Sequence, residues 1–267
     1  MRQQLNLELL RGLRGLEIAG PSGIFGEENL FPVYSYVESL DDFSHPRPLD
    51  WGGRPLVAGG EFRYAAGRPT GRQFVGDATS LKGIDDATYD VIIGSHVLEH
   101  IANPLKALRS WLSALKPDGL LLQVIPHGEG TFDRNRPVTP LAHLIDDFDQ
   151  DVPEDDRTHY AEVAALSTQN HSEHWFAEAH LHRGVHQHVF DTASVLGLYR
   201  HVGLAIVGVA AVKPHHIAIL GRKGQARADE ALSDHDIDRI LMESPFNRDR
   251  AQARAVPAKV TAECGSA

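Results

Sequence analysis

Residues 89–125 constrain the fold more than any other part of this chain. Tyr89-Asp-Val-Ile-Ile-Gly-Ser95 is a nearly continuous apolar run, the pattern of a strand covered on both faces. Asn103 is a good helix cap, and Pro104 suits the first helical position. Leu105, Leu108, Leu112 and Leu115 then recur at helical spacing, with Trp111 widening the apolar face. Lys116-Pro-Asp-Gly119 ends that helix, and Leu120 to Ile125 forms a second apolar run. Strand, helix, tight turn and strand in this order predict a right-handed parallel crossover, which directs the chain to an α/β architecture.

The flanks extend the same pattern. Leu13 to Ala19 has strand character and runs into Gly20-Pro-Ser-Gly-Ile-Phe-Gly26, the strand-to-loop signature of a nucleotide site. Val33 to Val37 reads as a second strand ending at Glu38, Leu40 to Arg72 as a long irregular connection, and Gln73 to Gly76 as a short strand ending at Asp77. From Pro126 to Arg183 acidic residues, histidines and aromatics replace strand patterning, predicting a mostly helical insertion at the carboxyl edge of the sheet. Asp191 caps a helix that reaches His201, with Gly203 beyond it. Leu204 to Val212 and His215 to Leu220, joined by Lys213-Pro214, read as an antiparallel pair that finishes the sheet. A short helix is expected over Ser233 to Met242, followed by a flexible tail. The expected divisions are 1–126 (nucleotide-binding half), 127–185 (insertion over the substrate site), 186–222 (end of the sheet) and 223–267 (extension).

The 267 residues suffice for one large α/β domain or two small ones. The formal net charge of −10 argues against long-range attraction to nucleic acid or an anionic membrane. The only cysteine, Cys264, precludes an intramolecular disulfide, and Met1 to Leu10 lacks an apolar leader. A cytoplasmic protein with a small-molecule substrate, no nucleic-acid or membrane partner, and a homodimer left open, is the expectation.

Chemistry concentrates at the ends of the expected strands. Glycines such as Gly20 and Gly23 let backbone approach a ligand. Glu38 lies 21 residues beyond Glu17, the spacing at which a strand-end acid meets ribose hydroxyls in a βαβ unit. Asp77 is placed to accept from an adenine amine, and Ser95-His96-Val97-Leu98 to line the cleft. Gly20-Pro-Ser-Gly-Ile-Phe-Gly26 also matches the Gly-x-x-Gly-x-x-Gly of short-chain NAD(P) enzymes. No tyrosine here has a lysine four residues later, which disfavours hydride chemistry.

Leu16-Glu-Ile-Ala-Gly-Pro21, Gly76-Asp-Ala78, Tyr89 through His100, and Asn103 through the Lys116-Pro-Asp-Gly turn resemble successive motifs of class I S-adenosylmethionine-dependent methyltransferases, the type 11 methyltransferase-domain proteins. The resemblance is close over residues 13–126. It implies a Rossmann-like α/β fold: a seven-stranded, mostly parallel sheet with one antiparallel strand and helices on both faces. It also implies S-adenosylmethionine as cofactor. Glu17 would hold the cofactor's amino end, Gly20 and Gly23 the turn, Glu38 the ribose, and Asp77 with the Ala78 backbone the adenine, while Ser95 and His96 line the cleft. Relatives have Glu-Ile-Gly where this chain has Glu-Ile-Ala-Gly. Residues 126–137 with His186-Gln-His188 resemble a bacterial subgroup associated with glycan or natural-product pathways.

Methyl transfer from a sulfonium is an in-line displacement, so proximity and exclusion of water supply much of the rate. A hydroxyl or protonated-amine acceptor also needs a base, for which histidine is well matched. His127, just past the fifth strand, is a candidate base or a backbone-bonded loop histidine. Asp133 and Arg136 either orient a base or substrate or form an ion pair that holds the insertion. His186 and His188 share a side in an extended segment, near His171, His174, His180 and His182. They are candidates for substrate-side hydrogen bonding. A metal-binding lid is the alternative, but their spacing is unspecific as a metal signature, and no metal ligand is assigned. The competing readings are a non-catalytic cofactor-binding protein of the same fold, left open by the altered first motif, and an oxidoreductase or epimerase.

Overall fold

A computed structural model describes residues 5–46, 55–227 and 230–255, with the side chains of residues 180 and 182 excepted. In chain order the elements are β1 (Arg14–Ile18), β2 (Ser39–Ser44), β3 (Glu61–Phe62), β4 (Gly71–Val75), β5 (Tyr89–Ser95), α1 (Pro104–Ala114), β6 (Leu115–Pro126), α2 (Leu141–Asp149), α3 (Tyr160–Leu166), α4 (Glu173–His182), α5 (Thr192–His201), β7 (Leu204–Val212), β8 (His216–Lys223), α6 (Asp234–Glu243) and α7 (Asn247–Ala255). One eight-stranded sheet runs β3-β4-β2-β1-β5-β6-β8-β7. The pairs from β4 through β6 are parallel, and β8 is antiparallel to both neighbours. The eighth strand beyond the expected seven is the two-residue β3, antiparallel on the edge strand β4.

The apolar runs are explained by burial on both faces. On one face Ile92, Leu121, Ile125, Ile217 and Ile219 pack with Leu105, Leu108 and Trp111 of α1, Val195 and Leu198 of α5, and Ile237 of α6. Alternate residues Val91, Ile93, Leu120, Leu122 and Val124 form the other core with Phe25, Phe31, Tyr34, Phe62 and Tyr64. Burying a side chain of this size stabilises by about 2 kcal/mol, so both faces need cover. The second face finds it in short 3-10 turns, Leu7–Leu10, Gly23–Phe25 and Val33–Ser35, rather than in α-helices. Glycine and proline between residues 20 and 32 oppose a long helix there, and aromatic side chains fill the space instead.

Three expectations are corrected. Val33–Ser35 is a 3-10 turn, and the second strand is Ser39–Ser44, which runs into the stretch read as irregular. The tail expected to be flexible contains α7, whose Asp249 is fully buried. Cys264 lies outside the described residues. Other boundaries follow their caps: Asn103 accepts from Lys106 N at 3.0 Å, Asp191 from Ser194 N at 2.8 Å, and Ser233 begins α6 with a reciprocal capping pair. Among the described residues no helix is long and apolar enough to cross a membrane.

Candidate active site

The strand order reverses between β1 and β5, and a cleft opens there at the carboxyl ends of the parallel strands. Ile18, Ala19, Phe43, Ala78, Val97 and Ile101 give it apolar walls. His45, Asp77, His96, His100, Glu154 and Arg183 supply polar groups. This mixture suits an adenosyl ligand: flat apolar surfaces for a base, and a few acceptors at its edges.

Ala19 takes the left-handed backbone (φ 61°) that the turn after β1 requires, a conformation that favours glycine. Gly20 follows because a Cβ there would lie 2.4 Å from the Glu17 carboxyl carbon. The Glu17 carboxylate thus tucks beneath the turn, accepting from Ser22 N at 2.9 Å and from the Tyr34 hydroxyl at 2.9 and 3.0 Å. Burial, reinforced by neighbouring Asp42, pushes the Glu17 carboxyl up to about 8. Asp42 Oδ1 accepts from Gly20 N at 2.6 Å, so two buried acids shape the turn from below.

Asp77, just past β4, fixes one carboxylate oxygen with Thr79 N and Oγ1, both at 2.8 Å. Its Oδ2 lies on the cleft side, 3.8 Å from Arg183 Nη2. The Ala78 carbonyl accepts from Trp111 Nε1 at 2.9 Å, which ties this loop to α1. The insertion forms the roof. Arg183 bonds both the carbonyl and the carboxylate of Glu154, and Glu154 Oε1 accepts from Asn103 N at 3.1 Å. Opposite Asp77, His96 Nε2 lies 3.1 Å from His216 Nδ1. Burial above all pushes the imidazoles of His100 and His216 down to about 4, so both rings are neutral at pH 7.

Of the residues singled out in the sequence, Asp77, Ala78 and His96 meet in this cleft. Glu17 and Gly20 lie under its turn, Gly23 begins the following 3-10 segment, and Ser95 ends β5 outside the cleft lining. Glu38 is at the wrong end of the sheet. Its N–H bonds the Leu13 carbonyl at 2.9 Å, where β1 and β2 begin. The cause is the missing helix between these strands: an irregular connection moves the strand end seven residues onward, to His45.

His127 is also away from the cleft. It is fully buried, accepts from Glu129 N on Nδ1, lies 3.1 Å from Asp249 on Nε2, and stacks on Phe246 at 3.9 Å. Asp133 and Arg136 form a buried ion pair at 2.9 Å. Arg136 continues to Glu162 at 2.7 Å and to the carbonyls of His186 and Gln187. His188 is buried, with Nε2 3.1 Å from the Ala102 carbonyl, whereas His186 reaches the cleft-side histidines, its ring 4.7 Å from that of His100. His45, Glu154 and Arg183 were not legible as cleft residues, because His45 fell in the stretch read as irregular and the other two belong to no strand-end motif. Glu99 and His100 carried a signal, two ionisable residues inside an otherwise apolar motif.

Fold and cleft together define an α/β protein with an open cleft at the strand switch point, where sheets of this class bind nucleotides. The chain belongs to the methyltransferase-domain family (Methyltransf_23), whose model matches residues 11–209. No curated protein matches it in sequence. Among solved structures it is similar to an S-adenosylmethionine-dependent methyltransferase from Mesorhizobium loti (15% identity, 82% of this chain and 94% of that one, TM-score 0.47). It is also similar to the trans-methyltransferase CalH in complex with SAH (18% identity, 82% and 54%, TM-score 0.45). A third is 1,6-didemethyltoxoflavin-N1-methyltransferase from Burkholderia thailandensis (13% identity, 80% and 72%, TM-score 0.44).

Proposed function

We propose that this methyltransferase acts on an oxygen or nitrogen nucleophile of a small molecule, such as a sugar or a biosynthetic intermediate. The observation that carries this reading is the roof. Glu154 and Arg183, fixed to each other and to the start of α1, line the cleft beside Asp77. A compact acceptor fits under such a roof, and the net charge of −10 disfavours a polyanionic one.

Within the cleft, Asp77 Oδ2 is the acceptor for the adenine amine, beside the Ala78 backbone. His45, at the tip of β2, takes the ribose position that the sequence assigned to Glu38. The left-handed turn at Ala19 faces the methionine end. S-adenosylmethionine supplies an electrophilic methyl group. The chain orients it, holds the nucleophile in line behind it and keeps water out, which is where most of the rate arises.

Calorimetric titration with S-adenosylmethionine, S-adenosylhomocysteine and NAD(H) tests the reading. Binding of both adenosyl compounds without NAD(H) is expected, followed by methyl transfer in a panel of hydroxyl and amine acceptors. NAD(H) binding in their place overturns it.

A further inference from the structure

Glu99 lies in the single 3-10 turn Leu98–His100 after β5, with its side chain fully buried. Neither carboxylate oxygen receives a hydrogen bond. A buried carboxylate in that state is strongly disfavoured unless a cation compensates it. Three ring nitrogens converge on its Oε1: His96 Nδ1 at 3.5 Å, His100 Nε2 at 3.8 Å and His186 Nε2 at 4.0 Å.

The far sides of the rings decide what faces the carboxylate. His100 Nδ1 lies 3.1 Å from the Val185 carbonyl oxygen, and His186 Nδ1 lies 2.6 Å from Asp133 Oδ2. A carbonyl and a carboxylate only accept, so both Nδ1 atoms carry a proton, which leaves each Nε2 facing Glu99 free to turn a lone pair toward a bound cation. If His96 Nε2 donates to His216 Nδ1, at 3.1 Å, His96 Nδ1 presents a lone pair in the same way. Lone pairs and a carboxylate oxygen aimed at one another repel. A cation among them converts every one into a ligand.

The outer partners are those that orient metal-bound imidazoles, a carboxylate for one ring and a backbone carbonyl for the other. The surroundings are rigid: Arg136 holds Asp133 at 2.9 Å, and the N–H groups of Gln187 and His188 bond the Glu99 carbonyl at 2.7 and 3.3 Å. Two ligands of a tetrahedral zinc ion stand about 3.4 Å apart. The ligand atoms of Glu99, His100 and His186 lie within 4.8 Å of one another, close enough for side-chain rotation to bring them onto one ion.

We propose that Glu99, His100 and His186 bind one divalent first-row transition-metal ion of the zinc or iron(II) class, with His96, whose Nδ1 lies 3.5 Å from Glu99 Oε1, as a fourth donor. Imidazole donors select such ions over calcium and magnesium, which take oxygen ligands. His96 and His100 line the cleft, so the ion faces the space beside the cofactor. Resting on the methyl-transfer reading, an acceptor hydroxyl that binds the ion loses its proton to solvent near neutral pH and becomes the nucleophile. The ion site itself stands without that reading.

Full-length protein stripped by chelator and titrated with Co²⁺ alone tests the site, since visible absorption reports nitrogen and oxygen ligation. One equivalent per chain is expected, displaced by Zn²⁺ but not by Mg²⁺. Glu99→Gln and His186→Ala should each weaken it at least about tenfold. His143→Ala, in the separate His143, His159 and His188 group, should leave stoichiometry and affinity unchanged. Circular dichroism checks each fold, and Glu99→Gln, nearly isosteric, carries the test if His186→Ala does not fold. No saturable Co²⁺ or Zn²⁺ binding by folded protein, undiminished binding in Glu99→Gln, or loss in His143→Ala overturns the site. Parallel titration with S-adenosylhomocysteine separates the two readings. Binding of that compound without Co²⁺ removes the ion site alone, and Co²⁺ binding without it removes the assigned cofactor cleft alone.

Discussion

Asp249, on the last described helix, lies 3.1 Å from Nε2 of His127 at the tip of β6, 122 positions earlier in the chain. Because His127 Nδ1 accepts from Glu129 N, Nε2 is the donor and the ring is held in one tautomer. Asp249 also accepts from Thr192 N and Oγ1 and from Ser244 Oγ. Burial alone would raise this carboxyl, but the bonds from His127, Ser244 and Thr192 hold it below the usual carboxylate range. The C-terminal helix is thereby bolted to the end of the sheet.

Asp249→Ala leaves those donors buried and unpaired. We expect a loss of about 3 kcal/mol in urea unfolding. Asp234→Ala removes an exposed pair with Arg200 and should cost under about 0.5 kcal/mol. Equal midpoints for the two variants would show that α7 is not anchored by this contact.

Glu17 makes stability depend on pH. Its folded value of about 8 lies above the ordinary 4.5. Between those values the unfolded chain has released the proton while the native carboxyl retains it, so stability falls as pH rises across the window. It is fully present below about 4.5 and lost as pH passes 8. Glu17→Gln removes the ionisation. The variant should gain on the wild type by an amount of order 4 kcal/mol between about pH 5 and pH 9. Parallel unfolding profiles would refute the buried, protonated carboxyl.

Asp77 and Glu38 separate the two ends of the sheet. Asp77→Ala should weaken S-adenosylhomocysteine binding at least about tenfold, the worth of one charged hydrogen bond. Glu38→Ala should leave it within about twofold, since Glu38 stands where β2 begins. A large loss in Glu38→Ala, measured by calorimetry, would move the cofactor out of this cleft.

The turn at Ala19 tolerates one direction of change. Ala19→Gly keeps φ near 61° without a Cβ penalty and should retain both fold and affinity. Ala19→Val places a β-branched residue in the left-handed region. It should lower stability by about 1–2 kcal/mol and weaken cofactor binding in the same assay. A Val variant indistinguishable from wild type would mean the turn opens at little cost.

Much of this protein is determined by local sequence. Tyr89 to Ile125 specifies strand, helix and strand because apolar periodicity, the Asn103 cap and the Pro-Asp-Gly turn all act within a few residues. Asp77 was legible as a strand-end acid that lines the cleft for the same reason: a strand end, an acid and a small residue are neighbours. Only tertiary structure decided the rest. Glu38 and Val33–Val37 misled because a period of two cannot distinguish a strand from aromatic turns packed on a sheet, and residue spacing locates a strand end only if a regular helix intervenes. His127 reads as a base until Asp249 and Phe246 arrive from the far end of the chain. Glu99, His100 and His186 converge only because the insertion returns segment 186–188 to the Glu99 carbonyl. Contacts across some ninety residues depend on how elements dock, and docking is set by the shapes of packed surfaces that no short stretch of sequence displays.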